Sequence, residues 1–294
     1  MRKLLLQLDS SPYPSVFDRV VAFDAGADEV MSYGGVVEDA VRDLVHGAIF
    51  TRGPRDLHHT AIFIGGTDMA AGERLLAAVR DAFFGPLRVS VMLDSNGSNT
   101  TAVAAVAKLL QAAGPGSDVR GRRVVITAGT GPVGVRAAGL FAKAGADVVL
   151  TSRRPEQSTE AIEGLRQRFG DSVRAVKMSD SSQAAAVLEG AQLVLNAGGA
   201  GICLVPRDAW ARRAGLRAVA DLNAVPPLGV EGIEVNDDGV ERESVTVFGA
   251  LGVGKLKMKI HKACIARLFE HNDLVLDAET IAEVARAQPP ALSL

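Results

Sequence analysis

"RRVVITAGTGPVG", residues 122–134, drives an apolar run directly into glycines at 129, 131 and 134. Val124, Val125 and Ile126 are β-branched and read as a strand. The residues beyond it carry Val133, Ala137, Leu140 and Phe141 at helical spacing, and "DVVLTSRR" (147–154) reads as the next strand. Strand, glycine turn, helix and strand at these distances form the dinucleotide-binding fingerprint. Gly129 allows the tight turn, Gly131 lets backbone approach a pyrophosphate, and Gly134 lets the helix lie close to the sheet. The whole turn, Gly129, Thr130, Gly131, Pro132, Val133 and Gly134, is expected to hold the cofactor at a helix N-terminus. A bare glycine-rich turn is the competing reading, and the strands on both sides argue against it.

The end of the second strand bears on which nucleotide is bound. An Asp or Glu there would hold the ribose 2′-hydroxyl of NAD, but this chain has Ser152, Arg153 and Arg154. Guanidinium groups suit a 2′-phosphate, so NADP is expected, against the alternative of two solvated arginines. "AQLVLNAGGAG" (191–201) and "LRAVADLNAVPP" (216–227) read as further strands of this domain. Ligands of open parallel sheets lie beyond the carboxyl ends of the strands, so Asn196, Ala197, Gly198 and Asn223 are expected to face the cofactor. A rigid turn at 223–227 is the alternative for Asn223.

Working back toward the start, "KLLLQLD" (3–9), "DEVMSY" (28–33), "TAIFIGG" (60–66) and "RVSVML" (88–93) read as strands. Helical stretches separate them, one with Val16, Val20 and Phe23 on one face and another with Leu75, Leu76, Val79 and Phe83. Strict alternation implies parallel pairing, hence an α/β protein. "GPGSDVRG" (114–121) interrupts the pattern and marks a domain boundary. The expected division is an α/β domain over 1–116 and a Rossmann-type parallel-sheet domain over 117–255.

Two further stretches stand out. After Leu93 come Asp94, Ser95, Asn96, Gly97, Ser98, Asn99 and Thr100, then a helix carrying Val103, Val106 and Leu110. One of Ser98, Asn99 and Thr100 is expected to cap that helix. Capping leaves Asp94, Ser95 and Asn96 unexplained, and these are candidates for a ligand. In "FGALGVGKLKMKIHKACIARLFE" (248–270), a helix is expected after Gly254, with Leu256, Ile260, Ala263, Cys264 and Leu268 buried. That puts Lys255, Lys257 and Lys259 at the helix start, against its dipole. Lys257, one turn before His261, is the candidate for ligand contact.

Composition narrows the class. The chain has 294 residues, 48% of them hydrophobic, and a net charge of -2. It can bury a large core and shows no bias toward nucleic acid. Met1, Arg2 and Lys3 before three leucines mimic a signal peptide, but Gln7 and Asp9 end the apolar run, and no stretch reaches the length of a membrane span. Cys203 and Cys264 are expected to be reduced core residues, and a cytoplasmic protein is expected.

"FDRVVAFDAGAD", "TDMAAGERL", "FFGPLRVSVMLDSNGSNTTA", "AGTGPVG", "ADLNAVPPLG" and "FGALGVGKLKMKIHKACIA" together resemble the NADP-dependent methylene-tetrahydromethanopterin dehydrogenases of bacterial one-carbon metabolism. The likeness runs from Leu4 to Phe269. It implies a substrate domain made of the N-terminal part completed by C-terminal helices (about 256–294), an NADP domain in the middle and an active-site cleft between them. It further implies hydride transfer from a methylene-pterin to NADP, giving a methenyl cation. No proton leaves, so no general base and no metal are expected. Asp94, Ser95, Asn96, Gly97 and Thr100 would then bind the pterin, and Lys257 and Asp18 would position it. Lys255 stands where the resemblance calls for a second glycine, so the resemblance carries no role over to it. Relatives form homo-oligomers, with trimers expected. A methylene-tetrahydrofolate dehydrogenase of similar architecture and a non-catalytic NADP sensor are the alternatives.

Overall fold

The computed structural model describes residues 1–114, 118–154, 156 and 159–287. Strands and helices alternate as β1 (Leu4–Asp9), α1 (Val16–Asp24), β2 (Glu29–Tyr33), α2 (Glu38–Ile49), β3 (Thr60–Gly65), α3 (Met69–Asp81), β4 (Ser90–Leu93) and α4 (Ser98–Ala112). There follow β5 (Arg123–Thr127), α5 (Pro132–Lys143), β6 (Asp147–Ser152), α6 (Thr159–Phe169), β7 (Val173–Lys177), α7 (Ala184–Val187), β8 (Leu193–Asn196), α8 (Arg207–Trp210) and β9 (Ala218–Asp221). The chain continues with β10 (Asp238–Arg242), β11 (Val245–Phe248), α9 (Ala250–Arg267), β12 (Val275–Leu276) and α10 (Ala278–Arg286). It divides into two compact units, Met1–Thr100 with Met258–Ser293, and Thr101–Lys257. The division falls inside α4 and α9, whereas the sequence marks the Gly-Pro segment 114–121, of which 115–117 lie outside the described residues.

The first unit holds a parallel sheet in the order β12-β4-β3-β1-β2. Its apolar strands are covered by α2 and α3, whose Val41, Val45, Ile49, Leu75 and Val79 pack with Leu8, Ile62, Ile64 and Val91. The α3 stripe thus faces the core as its spacing indicates. The α1 stripe does not: Val16 is 75%, Val20 53% and Phe23 43% exposed, and the helix buries Val21 and Ala22 instead. Periodicity locates a shared face, but it does not say which face meets the sheet. Val275 and Leu276 add a short outer strand to β4, an arrangement held by Ser90, whose hydroxyl donates to the His271 carbonyl at 2.7 Å and accepts from the Leu274 N–H at 3.2 Å.

The second unit holds a sheet in the order β10-β11-β9-β8-β5-β6-β7, parallel except for the β10–β11 hairpin. From β5 the chain builds outward through β6 and β7, then returns to the other side through β8 and β9. The order therefore reverses beside β5, the position where such sheets bind ligands. The core gathers Val125, Val149, Val194 and Val219 with Leu188 and Trp210. The indole N–H of Trp210 donates to the Glu231 carbonyl at 2.9 Å.

The helix over 250–267 corrects one expectation. It starts at Ala250, so Gly252 and Gly254 lie inside it and Lys255, Lys257 and Lys259 are past its first turn, beyond the reach of the dipole argument. Gly249 and Gly252 have a packing role: a Cβ on either would stand 2.0 Å from a backbone carbonyl oxygen, that of Glu234 or Asp237. A Cβ on Gly254 would meet nothing within 4 Å. Gly252→Ala should therefore lower stability by about 1–3 kcal/mol through overpacking against backbone, whereas Gly254→Ala should raise it by about 0.5–1 kcal/mol. Urea unfolding of the two variants checks the opposite signs.

Candidate functional site

The polar run after β4 is organised first as structure. Asp94 is 1% exposed, and one of its carboxylate oxygens accepts the N–H groups of Asn99 and Thr100, each at 2.9 Å. The other accepts the Thr100 hydroxyl at 2.6 Å. The Asn99 side-chain amide donates to the Leu93 carbonyl at 2.6 Å, and the Ser98 hydroxyl to the Ser95 carbonyl at 2.9 Å. Ser95, also buried, donates its hydroxyl to the Gly65 carbonyl at 2.8 Å. Capping thus accounts for Asp94, which the sequence had left unexplained, and ties Ser95 to β3. The reason is the tight exit from β4: the first helical N–H groups turn inward, and a buried carboxylate satisfies two of them.

Asn96 is different. Its backbone sits at φ 55°, ψ 19°, a left-handed conformation that Asn tolerates better than most residues, and its N–H donates to the Gly66 carbonyl at 2.6 Å. Its side chain is exposed and makes no hydrogen bond among the described residues. Gly97 follows at φ 59°. The loop therefore presents one amide outward from an otherwise satisfied cap.

Sequence reading overlooked the matching loops of β1 and β3. Asp9 is 1% exposed and its carboxylate accepts the N–H groups of Ser11 at 2.8 Å and Ser15 at 3.1 Å. The Ser11 hydroxyl accepts the Thr67 N–H at 3.0 Å and lies 3.2 Å from the Thr67 hydroxyl. A signal was present: both β1 and β4 end in Leu-Asp-Ser, at residues 8–10 and 93–95. Asp18 lies half-buried in the first turn of α1, where a carboxylate suits the helix dipole, and its N–H donates to the Ser15 hydroxyl at 3.2 Å. Behind this edge, His261 is fully buried, its ring stacked on Phe63 with centroids 5.5 Å apart. Burial, and then the Asp94 charge, push the thiol of buried Cys264 well above its usual range.

Lys257, the last residue of the second unit, is half-buried. Lys255 is 63% exposed in its side chain and lies 3.8 Å from Asp238, an ion pair at the surface.

In the second unit the fingerprint turn has the geometry its glycines imply. A Cβ on Gly129 would stand 2.5 Å from Leu150 and 2.7 Å from the Ile126 carbonyl, and a Cβ on Gly134 2.4 Å from the Gly129 carbonyl. Both positions are closed by the protein itself. A Cβ on Gly131 would find nothing nearer than 3.8 Å, so the protein leaves room there. Gly131 caps α5, with Pro132 at its first turn and Val133 following.

Beyond the turn lies a groove of about 720 Å³ lined by Ala128, Thr130, Thr151, Ser152, Arg153 and Arg154 on one part, and by Met178–Ser181, Gly199 and Ile202–Leu204 on the rest. The Ser152 hydroxyl accepts the Arg154 N–H at 3.2 Å. The Arg153 guanidinium is exposed and has no hydrogen bond or ion pair with the described residues. Cys203 lies half-buried in the groove wall, not in the core, its thiol raised by burial and by Glu231.

Asn196 and Asn223 depart from expectation. The Asn196 side chain is fully buried, accepting the Thr127 hydroxyl at 2.7 Å and donating to Asp221 at 2.8 Å. Asp221, 1% exposed, also accepts the N–H groups of Asn223 and Val230, each at 3.0 Å. Asn223 accepts the Val225 N–H at 2.9 Å and donates to the Pro227 carbonyl at 3.1 Å, which is the rigid-turn alternative. These polar ends of β5, β8 and β9 bond to each other. Ala197 and Gly198 are half-buried beside this network, and the neighbouring Gly199 lines the groove.

Comparison with known proteins bears on the whole chain. Residues 16–96 match the family described as methylene-tetrahydromethanopterin dehydrogenase, N-terminal. The chain is 49% identical to a protein of Methylorubrum extorquens named bifunctional protein MdtA, over 97% of this chain and 98% of that one. It is 33% identical to the NAD(P)-dependent methylenetetrahydromethanopterin dehydrogenase of the same organism, over 94% and 95%. The chain belongs to the methylene-tetrahydromethanopterin dehydrogenase family. The family match over 16–96 spans α1 to the exposed amide of Asn96. A likeness of fold alone extends to a shikimate 5-dehydrogenase of Listeria monocytogenes, solved with shikimate and NAD, at 16% identity and TM-score 0.57 over 96% of each chain. Among the described residues no helix is long and apolar enough to cross a membrane.

The three glycines should respond differently. Gly131→Val should leave the unfolding midpoint near that of the parent and abolish dinucleotide binding, whereas Gly134→Val should unfold the second unit; calorimetric titration beside thermal unfolding separates them. In the first unit, Asp94→Ala should lose about 1–3 kcal/mol of stability, since it strands buried N–H groups. Asn96→Gly, which keeps the left-handed backbone, should stay within about 1 kcal/mol of the parent, a contrast read by chemical denaturation.

Proposed function

We propose that this protein is an NADP-dependent dehydrogenase that removes a hydride from methylene-tetrahydromethanopterin and leaves the methenyl cation. The observation that carries the cofactor choice is the end of β6, where Ser152, Arg153 and Arg154 line the groove and no carboxylate stands in the ribose position. The substrate rests on family membership over nearly the whole chain.

The groove fits the cofactor on physical grounds. The open side of Gly131 and the N-terminus of α5 suit a pyrophosphate, and the exposed guanidinium of Arg153 at the groove suits a 2′-phosphate. When bound, the nicotinamide supplies a carbon that accepts the hydride. The chain supplies position and charge. Asn96 aims an amide from a fixed backbone at the carboxyl edge of the first sheet, and the Ser11 and Thr67 hydroxyls lie on loops stitched to the same edge. Lys257 and Asp18 complete the pterin contacts in this reading. Because the methylene carbon loses a hydride and no proton, none of these groups has to act as a base; each restricts the substrate to reactive orientations. The assembly is a homo-oligomer, a trimer in this reading, and works in the cytoplasm.

Replacing Arg153 and Arg154 with Ala should weaken NADP by roughly tenfold to over a hundredfold and NAD little, since charge-assisted hydrogen bonds contribute about 1.5–3 kcal/mol each. Titrating both cofactors, and assaying methylene-tetrahydromethanopterin beside methylene-tetrahydrofolate, tests cofactor and substrate together. Equal losses for NADP and NAD, or turnover of the folate alone, would overturn the assignment.

A further inference from the structure

The groove continues past the phosphate-binding positions. Its lining passes from the turn after β5 to the end of β6, and then to Met178, Ser179, Asp180 and Ser181 beyond β7. The three strands are neighbours in that order. If the pyrophosphate lies at β5 and the ribose 2′-phosphate at β6, the next part of the nucleotide along this line is its base, beside the loop after β7. The inference therefore rests on the cofactor reading above.

That loop is built to hold a carboxylate still. One oxygen of Asp180 accepts the N–H of Ser182 at 2.9 Å and also the Ser182 hydroxyl. The Gln183 side chain accepts the Ser179 N–H at 2.6 Å and closes the turn from the other side. Met178, 3% exposed, gives the groove an apolar wall at the start of the loop. The second oxygen of Asp180 accepts no hydrogen bond from the described residues. The Ser182 hydroxyl and N–H hold the Asp180 carboxyl below its usual range, so at neutral pH it is ionised and can only accept.

We propose that Asp180 selects the base of the cofactor, taking the 6-amino group of adenine on its open oxygen. A purine with a 6-oxo group would set two acceptors against each other, and a group that cannot donate is rejected more strongly than one that merely fits loosely. Arg153 and Arg154 then read the phosphate, and Asp180 reads the base.

The test is direct binding, measured by calorimetry, of NADP and of its deamino analogue, nicotinamide hypoxanthine dinucleotide phosphate, to the parent and to Asp180→Asn. The parent should prefer NADP by roughly tenfold or more, the range of one hydrogen bond to a charged group. Asp180→Asn keeps an acceptor for Ser182 and offers an amide that can donate to a 6-oxo group, so the preference should vanish or invert. Loss of a negative charge near the phosphates should tighten both dinucleotides alike, which leaves their ratio as the readout. Matched unfolding midpoints show that the variant is folded. Equal affinities in the parent, or an unchanged preference in the variant, would overturn the role of Asp180. Failure of the parent to bind either dinucleotide would overturn the cofactor reading with it.

Discussion

A parallel strand ends by sending its backbone out of the sheet, where its hydrogen-bonding groups lose their ladder partners while still near the core. Three carboxylates meet that constraint here. Asp9 at the end of β1, Asp94 just beyond β4 and Asp221 at the end of β9 are each 1% exposed, and each accepts two N–H groups of the segment that follows: loop residues for Asp9 and Asp221, the first turn of α4 for Asp94. These bonds fix the loops, and the fixed loops carry the groups that can touch a ligand. Asn96 is aimed outward because Asp94 and Ser95 are committed inward. In the second unit the Thr127–Asn196–Asp221 network does the same for the ends of β5, β8 and β9.

The carboxyl edges of the two sheets handle close approach in different ways. The nucleotide turn has glycines at which the protein leaves no room for a side chain, with a third at which it does. The other edge uses hydroxyls and amides on loops joined to one another, as Ser11 to Thr67 and Asn96 to Gly66. The first arrangement suits a phosphate, which needs backbone N–H groups and little else. The second suits a flat heterocycle with several donors and acceptors in fixed directions, since side-chain groups can be set one by one.

Much of this was legible in the sequence because the signals are local. Alternation of strands and helices, the spacing of Gly129, Gly131 and Gly134, and the basic end of β6 all follow from residues within a few positions of each other. What escaped depends on distant partners. Nothing near Val16 or Phe23 says that their face of α1 looks away from the sheet, and nothing near Gly252 announces the Asp237 carbonyl against it. Asp94, Asn196 and Asn223 look like ligand groups in sequence because polar residues at strand ends serve ligands and loops equally well, and their partners are set only by the tertiary fold. Strand β7 was missed because Arg174 and Lys177 break its short apolar run, and β12 because two residues carry no pattern.

The pairing of β12 with β4 has a consequence for how the protein is made. Asn272 and Leu274 bond to Arg88 and Ser90 across 184 positions of sequence. On the ribosome, the apolar β4 segment emerges long before the residues that cover its outer edge. Until they arrive, that edge is open to pairing with other chains, a hazard for a row of unpaired backbone groups. Contacts so far apart in sequence also form slowly. The yield of folded protein is then set by how long that edge survives uncovered, and any shortening of the chain before residue 276 would leave it uncovered for good.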